Sequence, residues 1–506
     1  MNPERRHSRD IATVTDYFDE NKPREDFARR SLRGGMVSIG ARVINALVQM
    51  VSVVVLARLL SPEDYGLVSM VGAIIGIAPL LIDLGTRDAV IQQRHITPEE
   101  ISTLFWITFA LGCAFAALAA ASGPLIAHFY GEPRLATVAL VSSLSLVALS
   151  LSYQHQALLR RAMMYQELAM VEIGASVVST AIAIAMAFKG WAYWALVLRP
   201  VTVSVVTAIG VWWKCRWLPG RPAFTTGVKE MVKFGLHWVG FSGSDFAGKF
   251  ADRIAIGHAS GAMDLGYYQK ACLVYDNSLD LVITPLQSVA MAGLSKLRNN
   301  PEALWNSWSK ALSTVAFFAM PAFGILAITS QDIIVLALGQ KWASASILLS
   351  IFALRGIPHV VQRTCGWLHN AAGRADRFMR WGVISSLAQL LALFLGLPFG
   401  MMGVAWAFVV STYVLFLPAI AYSGAPLGIR VGKVVAVVGP QTLGALAAVA
   451  VGLVLRATVF AHTPMILRTI LLMISYSAAY AVIVLGVFRV RTPLQVGRLV
   501  LRACVA

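Results

Sequence analysis

The amino-acid sequence predicts an all-α integral membrane protein with about fourteen transmembrane helices. Hydrophobic residues make up 58% of its 506 residues, and charged residues only 13%. Apolar stretches recur that are long enough to cross a hydrocarbon core of about 30 Å, which takes about 20 residues in a helix. Lys and Arg gather at alternate connections between these stretches. A soluble chain of this length could not bury so much apolar surface, so soluble fold classes are excluded.

The predicted spans follow one another through short connections, which leaves little room for a soluble domain. The expected spans are 35–58, 65–85, 101–127, 135–158, 168–188, 191–213, 234–259, 266–291, 307–329, 345–367, 380–398, 403–422, 437–460 and 465–488. We predict an N-terminal arm over 1–33, an N-lobe over 34–228 and a C-lobe over 229–425. Residues 426–506 hold the last two spans and a basic tail, so the architecture is two pseudo-symmetric six-helix lobes plus two C-terminal helices.

The basic residues indicate the orientation of these spans. Most of the 42 Lys and Arg residues fall on one side, which the positive-inside rule assigns to the cytoplasm together with both termini. The other side carries only Arg58, Arg134, Lys189, Lys341, Arg456 and Arg468. The net charge of +17 therefore reflects topology and attraction to anionic lipid heads, and we expect no nucleic-acid partner.

The N-terminal segment and the cysteines give no sign of a signal peptide, a disulfide framework or a metal site. The first 33 residues are polar and lack the apolar centre of a signal peptide, so we interpret them as a cytoplasmic arm. The five cysteines are scattered without metal-ligand spacing, which predicts neither a disulfide framework nor a metal site. We expect no cofactor, and coupling to H⁺ or Na⁺ stays open.

An internal repeat is visible at an offset of 200 residues. Asp64-Tyr65-Gly66 follows the first span, and Asp264-Leu265-Gly266 follows the seventh. Six spans separate the copies, so both have the same orientation and a pseudo-two-fold axis is expected along the membrane normal. This arrangement is typical of alternating-access transporters, in which the two motifs would act as hinges.

Spans seven and eight carry unusually many charges, and an ionisable group inside a membrane needs a partner or a watery cavity. Span seven holds Asp245, Lys249, Asp252 and Arg253, whose spacing places them on one face where they can pair. A structural charge network and a functional one are equally compatible with that pattern. On span eight, Asp276 and Asp280 are one turn apart and could carry a coupling ion or act as counter-ions.

A basic stripe is predicted on span ten. Arg355, His359 and Arg363 recur every four residues, with Gln362 beside them and no carboxylate on the same helix. Guanidinium groups bind phosphate oxygens bidentately, so this stripe favours an anionic cargo. Arg42 in span one is a further candidate for the same cavity.

Several segments resemble the polysaccharide transporter family of bacteria, the Wzx-type flippases for O-antigen and exopolysaccharide repeat units. The resemblance covers about residues 33 to 430, and it rests on Ala57-Arg58-Leu59-Leu60-Ser61-Pro62-Glu63-Asp64-Tyr65-Gly66, Asp83-Leu84-Gly85, Asp252-Arg253-Ile254-Ala255-Ile256-Gly257, Leu265-Gly266-Tyr267-Tyr268 and Gly339-Gln340-Lys341-Trp342. Asp252 and Arg253 are carried over as motif members without an assigned role.

The resemblance implies the fold of the multidrug/oligosaccharidyl-lipid/polysaccharide (MOP) superfamily and a polyprenyl-pyrophosphate-linked oligosaccharide as cargo, turned to the periplasmic leaflet of the inner membrane. The expected partners are this lipid-linked cargo, membrane lipids and, left open, a polysaccharide polymerase and export components. We expect a monomeric transport unit that is not an enzyme. The alternatives are a cation-coupled drug antiporter of the same fold and, with less support, a membrane-embedded polysaccharide-assembly enzyme.

Overall fold

The computed structural model describes residues 27–93, 96–223, 226–490 and 492, and this part of the chain is helical with no β-strand. Seventeen α-helices follow one another: α1 Phe27–Leu59, α2 Pro62–Ile75, α3 Ala78–Asp83, α4 Thr86–Gln92, α5 Pro98–Ala121, α6 Gly123–Tyr130, α7 Arg134–Arg161, α8 Tyr165–Phe188, α9 Trp194–Cys215, α10 Thr226–Leu294, α11 Pro301–Leu338, α12 Ala343–Ala371, α13 Ala375–Gly396, α14 Gly400–Val414, α15 Phe416–Gly424, α16 Val431–Ala457 and α17 Met465–Ala481. The predicted all-α membrane fold class is confirmed.

Eleven helical stretches of the described chain are long and apolar enough to cross a membrane. One of them, Asp376–Leu427, contains two crossings, because Gly400 at φ 67° turns the chain between α13 and α14. Helix α10 is not among the eleven, yet its 69 residues are long enough for two further crossings, joined where Gly261 adopts φ 83°. The described residues thus hold fourteen crossings, as the sequence predicted.

The chain divides into two compact units, Met1–Phe250 (unit 1) and Ala251–Ala506 (unit 2). The lobe boundaries predicted from the sequence stay a prediction, as does the arrangement of six helices in each lobe. The N-terminal arm lies outside the described residues, apart from the start of α1.

The internal repeat has a structural counterpart at Ser61 and Gly261, which are 200 positions apart. Ser61 caps α2: its hydroxyl accepts the backbone N–H of Asp64 at 3.2 Å, and the Asp64 carboxylate accepts the N–H of Ser61 at 2.8 Å. This capping box defines the break between the first two spans. In the second copy the break is the positive φ of Gly261, a conformation that glycine adopts without strain. The hinge role of the two motifs stays a prediction.

Unit 1 has an aromatic core around His155, which is 0% exposed. Its ring stacks on Trp212 with centroids 4.4 Å apart, and its Nε2 donates to the carbonyl oxygen of Trp217 at 3.2 Å. The segment after α9 is also tied to α5, where the hydroxyl of Ser102 accepts the N–H of Gly220 at 2.9 Å. His155 therefore packs the end of α9 against α7 and serves the core of the unit.

In unit 2, α11 and α12 form the most extensive helix pair, and Gly356 allows their close approach. A Cβ at Gly356 would overlap the ring of Phe323, so Gly356→Ala should lower the free energy of unfolding by about 1–3 kcal/mol through overpacking. Thermal unfolding of the purified protein in detergent measures this. The control is Gly382→Ala on α13, where a Cβ meets nothing and a small gain is expected. Equal transition temperatures for the two variants would contradict the packing.

Candidate functional site in unit 2

The predicted basic stripe of α12 meets the second half of α10 at Tyr275. This tyrosine is 2% exposed, and its hydroxyl forms a hydrogen bond of 2.8 Å with Nδ1 of His359. The guanidinium of Arg355 lies 5.5 Å from the centroid of the same ring. Arg355 and His359, one turn apart on α12, therefore contact a single tyrosine on α10.

The Arg355 guanidinium is held by aromatic rings. Besides Tyr275 it approaches Phe408 of α14, whose ring centroid is 5.7 Å away. Its Nε is buried and has no hydrogen-bond partner among the described residues, and no carboxylate of this part of the chain forms an ion pair with it. Ring contacts of this kind hold a cation without using its N–H donors. Arg355 thus keeps donors for an anion.

The Asp252 carboxylate accepts hydrogen bonds from neighbouring groups of α10. Its carboxylate accepts the Tyr268 hydroxyl at 2.8 Å and the backbone N–H of Arg253 at 2.7 Å. Arg253 and Arg355 also attract it electrostatically. The predicted polar face of α10 therefore has an internal anchor, in which a tyrosine from the second half of the helix holds a carboxylate from the first half.

For Asp276 and Asp280 the sequence left two roles open, carrier of a coupling ion and counter-ion to Arg355. Arg355 is the strongest electrostatic partner of Asp276, followed by Arg253, yet no ion pair joins Arg355 to either aspartate. Both carboxylates are exposed on the surface of unit 2. The two roles left open for them, coupling ion and counter-ion, stay predictions.

The surface of unit 2 has two contrasting faces. Arg363 on α12 is exposed, as are Asp276 and Asp280, whereas α13 exposes apolar side chains such as Leu387 and Leu391. A charged side chain facing hydrocarbon costs several kcal/mol, so the charged face must meet water or a polar cargo and the α13 face must meet lipid. Arg363 therefore lies on the polar face, at the end of the stripe that begins at the partly buried Arg355.

The remaining predicted residues are placed differently. The Gln362 amide donates to the carbonyl oxygen of Thr412 at 2.9 Å, which fastens α12 to α14. Arg42 is an exposed residue of α1 in unit 1. The side chains of Asp245 and Lys249 lie outside the described residues, so their predicted pairing stays a prediction.

Three aromatic residues of the site were missed from the sequence. Tyr268, Tyr275 and Phe408 look like ordinary core residues in an apolar helix, and two of them do pack against Phe352. One signal was available: Tyr268 and Tyr275 are seven residues apart, so they lie on the same face of α10.

A second charge cluster, also missed, lies between α11, α16 and α17. Asp332 is 0% exposed and accepts two hydrogen bonds from Arg468, at 2.5 and 3.2 Å. Arg456 approaches the same carboxylate at 3.6 Å and donates to Gln331 at 3.1 Å. One buried carboxylate therefore joins the last two helices to α11, an arrangement that we call the Asp332 clamp.

The fold of this protein is similar to those of two solved membrane proteins. The structure is similar to "Lipid II flippase MurJ, inward closed conformation", with a TM-score of 0.70 and 16% identity, covering 90% of this chain and 99% of that one. An inward-facing multidrug resistance MATE transporter of the MOP superfamily gives a TM-score of 0.60 and 13% identity, covering 79% and 99% of the two chains. This is a polytopic membrane protein with the MOP fold.

Residues 55–347 match the model of a family described as "Polysaccharide biosynthesis protein". This match covers more than half of the chain, so the protein belongs to that family and the resemblance seen in its sequence is confirmed.

Named relatives agree with the family. The chain is 26% identical to "Teichuronic acid biosynthesis protein TuaB" of Bacillus subtilis, over 67% of this chain and 71% of that protein. It is 24% identical to "Lipopolysaccharide biosynthesis protein WzxC" of Escherichia coli, over 72% and 75%. It is also 24% identical to "Succinoglycan biosynthesis transport protein ExoT" of Rhizobium meliloti, over 68% and 70%.

Proposed function

We propose that this protein is a flippase of the bacterial inner membrane, with both termini in the cytoplasm. Its cargo would be a polyprenyl-pyrophosphate-linked oligosaccharide, moved from the cytoplasmic to the periplasmic leaflet for exopolysaccharide or lipopolysaccharide biosynthesis. Family membership and the names of the relatives support the pathway. The MOP fold, which is shared with a flippase and with transporters, supports transport and not catalysis.

The observation that carries the proposal is the state of Arg355. Its guanidinium is held between Tyr275 and Phe408 and pairs with no carboxylate of the described chain. A cation inside a membrane span is costly unless an anion or water compensates it. A pyrophosphate supplies that compensation, because its oxygens match the fork of N–H donors on a guanidinium. Arg363, two turns along the same helix, extends the attraction along the polar face.

The proposed mechanism is alternating access. The pyrophosphate and the first sugars bind along the polar face of α12 while the polyprenyl tail stays in the lipid, since moving so long a hydrocarbon chain through a polar site would be prohibitive. Conversion between the two access states then carries the head group across. The ring contacts of Arg355 leave its N–H donors available to the anion.

Deleting the gene in the source bacterium tests this function. We expect loss of surface polymer, with completed lipid-linked repeat units accumulating on the cytoplasmic leaflet. Extraction of the lipid-linked oligosaccharides, together with an assay of their accessibility to a membrane-impermeant glycosidase, measures both. Normal polymer without trapped intermediates, in a strain that lacks a second gene of this family, would defeat the proposal and bring the antiporter reading forward.

A further inference from the structure

Unit 1 contains an arginine with a buried N–H donor that has no partner among the described residues. Arg199 lies on α9, and its Nη2 donates to Oε1 of Gln49 on α1 at 2.5 Å. Its Nε is buried without a hydrogen-bond partner, and no carboxylate of the described residues forms an ion pair with it. A guanidinium offers five N–H donors, so this one has capacity for a further acceptor.

The helix opposite Arg199 carries a polar stripe. Arg42, Asn45, Gln49 and Ser52 follow one another at spacings of three, four and three, which places them on one face of α1. Oδ1 of Asn45 and the hydroxyl oxygen of Ser52 are buried and have no hydrogen-bond partner among the described residues. Buried polar atoms are normally satisfied, so the unpartnered Oδ1 of Asn45, on the same helix face as the Gln49 that Arg199 contacts, indicates a ligand.

A purely structural role explains these groups less well. If the bond between Arg199 and Gln49 only joined α9 to α1, a neutral donor would make it at a much lower desolvation cost. The positive charge and the unused Nε of Arg199 have no part in that bond. An oxyanion compensates the positive charge of Arg199, and a hydroxyl group donates a hydrogen bond to Oδ1 of Asn45.

We propose that Arg199, Gln49 and Asn45 form a second cargo site, which binds an oxyanion together with an adjacent sugar hydroxyl. The guanidinium binds the oxyanion, the Asn45 oxygen accepts the hydroxyl, and Gln49 orients the guanidinium through its hydrogen bond. The oxyanion is either the pyrophosphate of the carrier or the carboxylate of an acidic sugar. This inference rests on the proposed flippase function and adds to it a recognition element in unit 1.

Binding of two synthetic probes to the full-length protein in lipid nanodiscs tests the site. Both probes are polyprenyl-pyrophosphate-linked disaccharides, and they differ only in the second sugar, glucuronate in one and glucose in the other. For Arg199→Gln we expect affinity for at least one probe to fall about tenfold or more, because a hydrogen bond to a charged group is lost.

The two probes separate the sources of the oxyanion. A loss confined to the glucuronate probe assigns the site to a sugar carboxylate, and an equal loss for both assigns it to the pyrophosphate. Unchanged affinity for both probes, with wild-type binding intact, overturns the second site and leaves the proposed function standing. If the wild-type protein binds neither probe, the proposed function falls and the site falls with it.

Two variants separate ligand binding from folding. Arg134→Gln is the matched control in unit 1, because Arg134 is already saturated by Glu132 at 2.8 Å and by Glu63 at 2.6 Å. Its affinity for both probes should equal that of the wild type. If Arg199→Gln does not fold, Asn45→Leu replaces it, since it keeps the bond between Arg199 and Gln49. It should still weaken binding of a probe, and unchanged affinity there would overturn the site.

Discussion

Replacing Arg355 with glutamine is expected to reduce polymer export at least tenfold while the protein still accumulates in the membrane. The substitution removes the charge that lies between Tyr275 and Phe408 and leaves a shorter, neutral side chain. Hydrogen bonds to charged groups contribute about 1.5–3 kcal/mol, which corresponds to about one to two orders of magnitude in affinity for the pyrophosphate. Export is measured as surface polymer per cell in a complemented deletion strain.

The control for this experiment is Arg380→Gln, which removes an exposed arginine of α13 in the same unit. Its export should match that of the wild type. Arg355→Lys should restore part of the export, because lysine keeps the charge and loses the bidentate geometry. Normal export by Arg355→Gln together with Arg363→Gln would remove the proposed anion site on α12.

Replacing Asp332 with alanine is expected to lower the free energy of unfolding of the protein by about 3–5 kcal/mol. The change leaves Arg456 and Arg468 without the carboxylate that compensates them, and breaking a buried ion pair from one side costs that much. The loss should appear first as detachment of α16 and α17 from α11, because the Asp332 clamp joins these three helices.

Thermal unfolding in detergent and limited proteolysis of the C-terminal helices measure this effect. Asp376→Ala serves as the control, since Asp376 is an exposed residue at the start of α13. A double variant, Asp332→Leu with Arg468→Leu, should recover part of the loss, because it removes one of the uncompensated charges. Asp332→Ala protein as stable as the wild type would show that the clamp contributes nothing.

Hydropathy was sufficient to predict the spans because a bilayer imposes length and apolarity on every crossing. The sequence also placed two spans within the 69 residues of α10, and they lie on either side of Gly261, whose φ of 83° interrupts the helix. What it could not supply was the form of each break. A capping box at Ser61 and a positive φ at Gly261 perform the same task with unrelated residues.

The site was predictable only along single helices. Spacing put Arg355, His359 and Arg363 on one face, and the structure keeps them there. Their partners come from other helices, as with Tyr275, which is 84 residues away from His359. Contacts over such separations leave no periodic trace in one sequence, and the same holds for the bond between Arg199 and Gln49, 150 residues apart. Pairing within α10, expected from spacing, rests on side chains outside the described residues.

The Asp332 clamp also bears on fluorescence experiments that follow conformational change in this protein. Helix α17 is fastened to α11 through Arg468, so a fluorophore attached to α17 would report the position of unit 2 without touching Arg355. With a second fluorophore on an exposed position of α5, energy transfer would report the distance between a point in unit 1 and a point in unit 2. The native cysteines at positions 113, 215, 272, 365 and 504 would have to be replaced before such labelling.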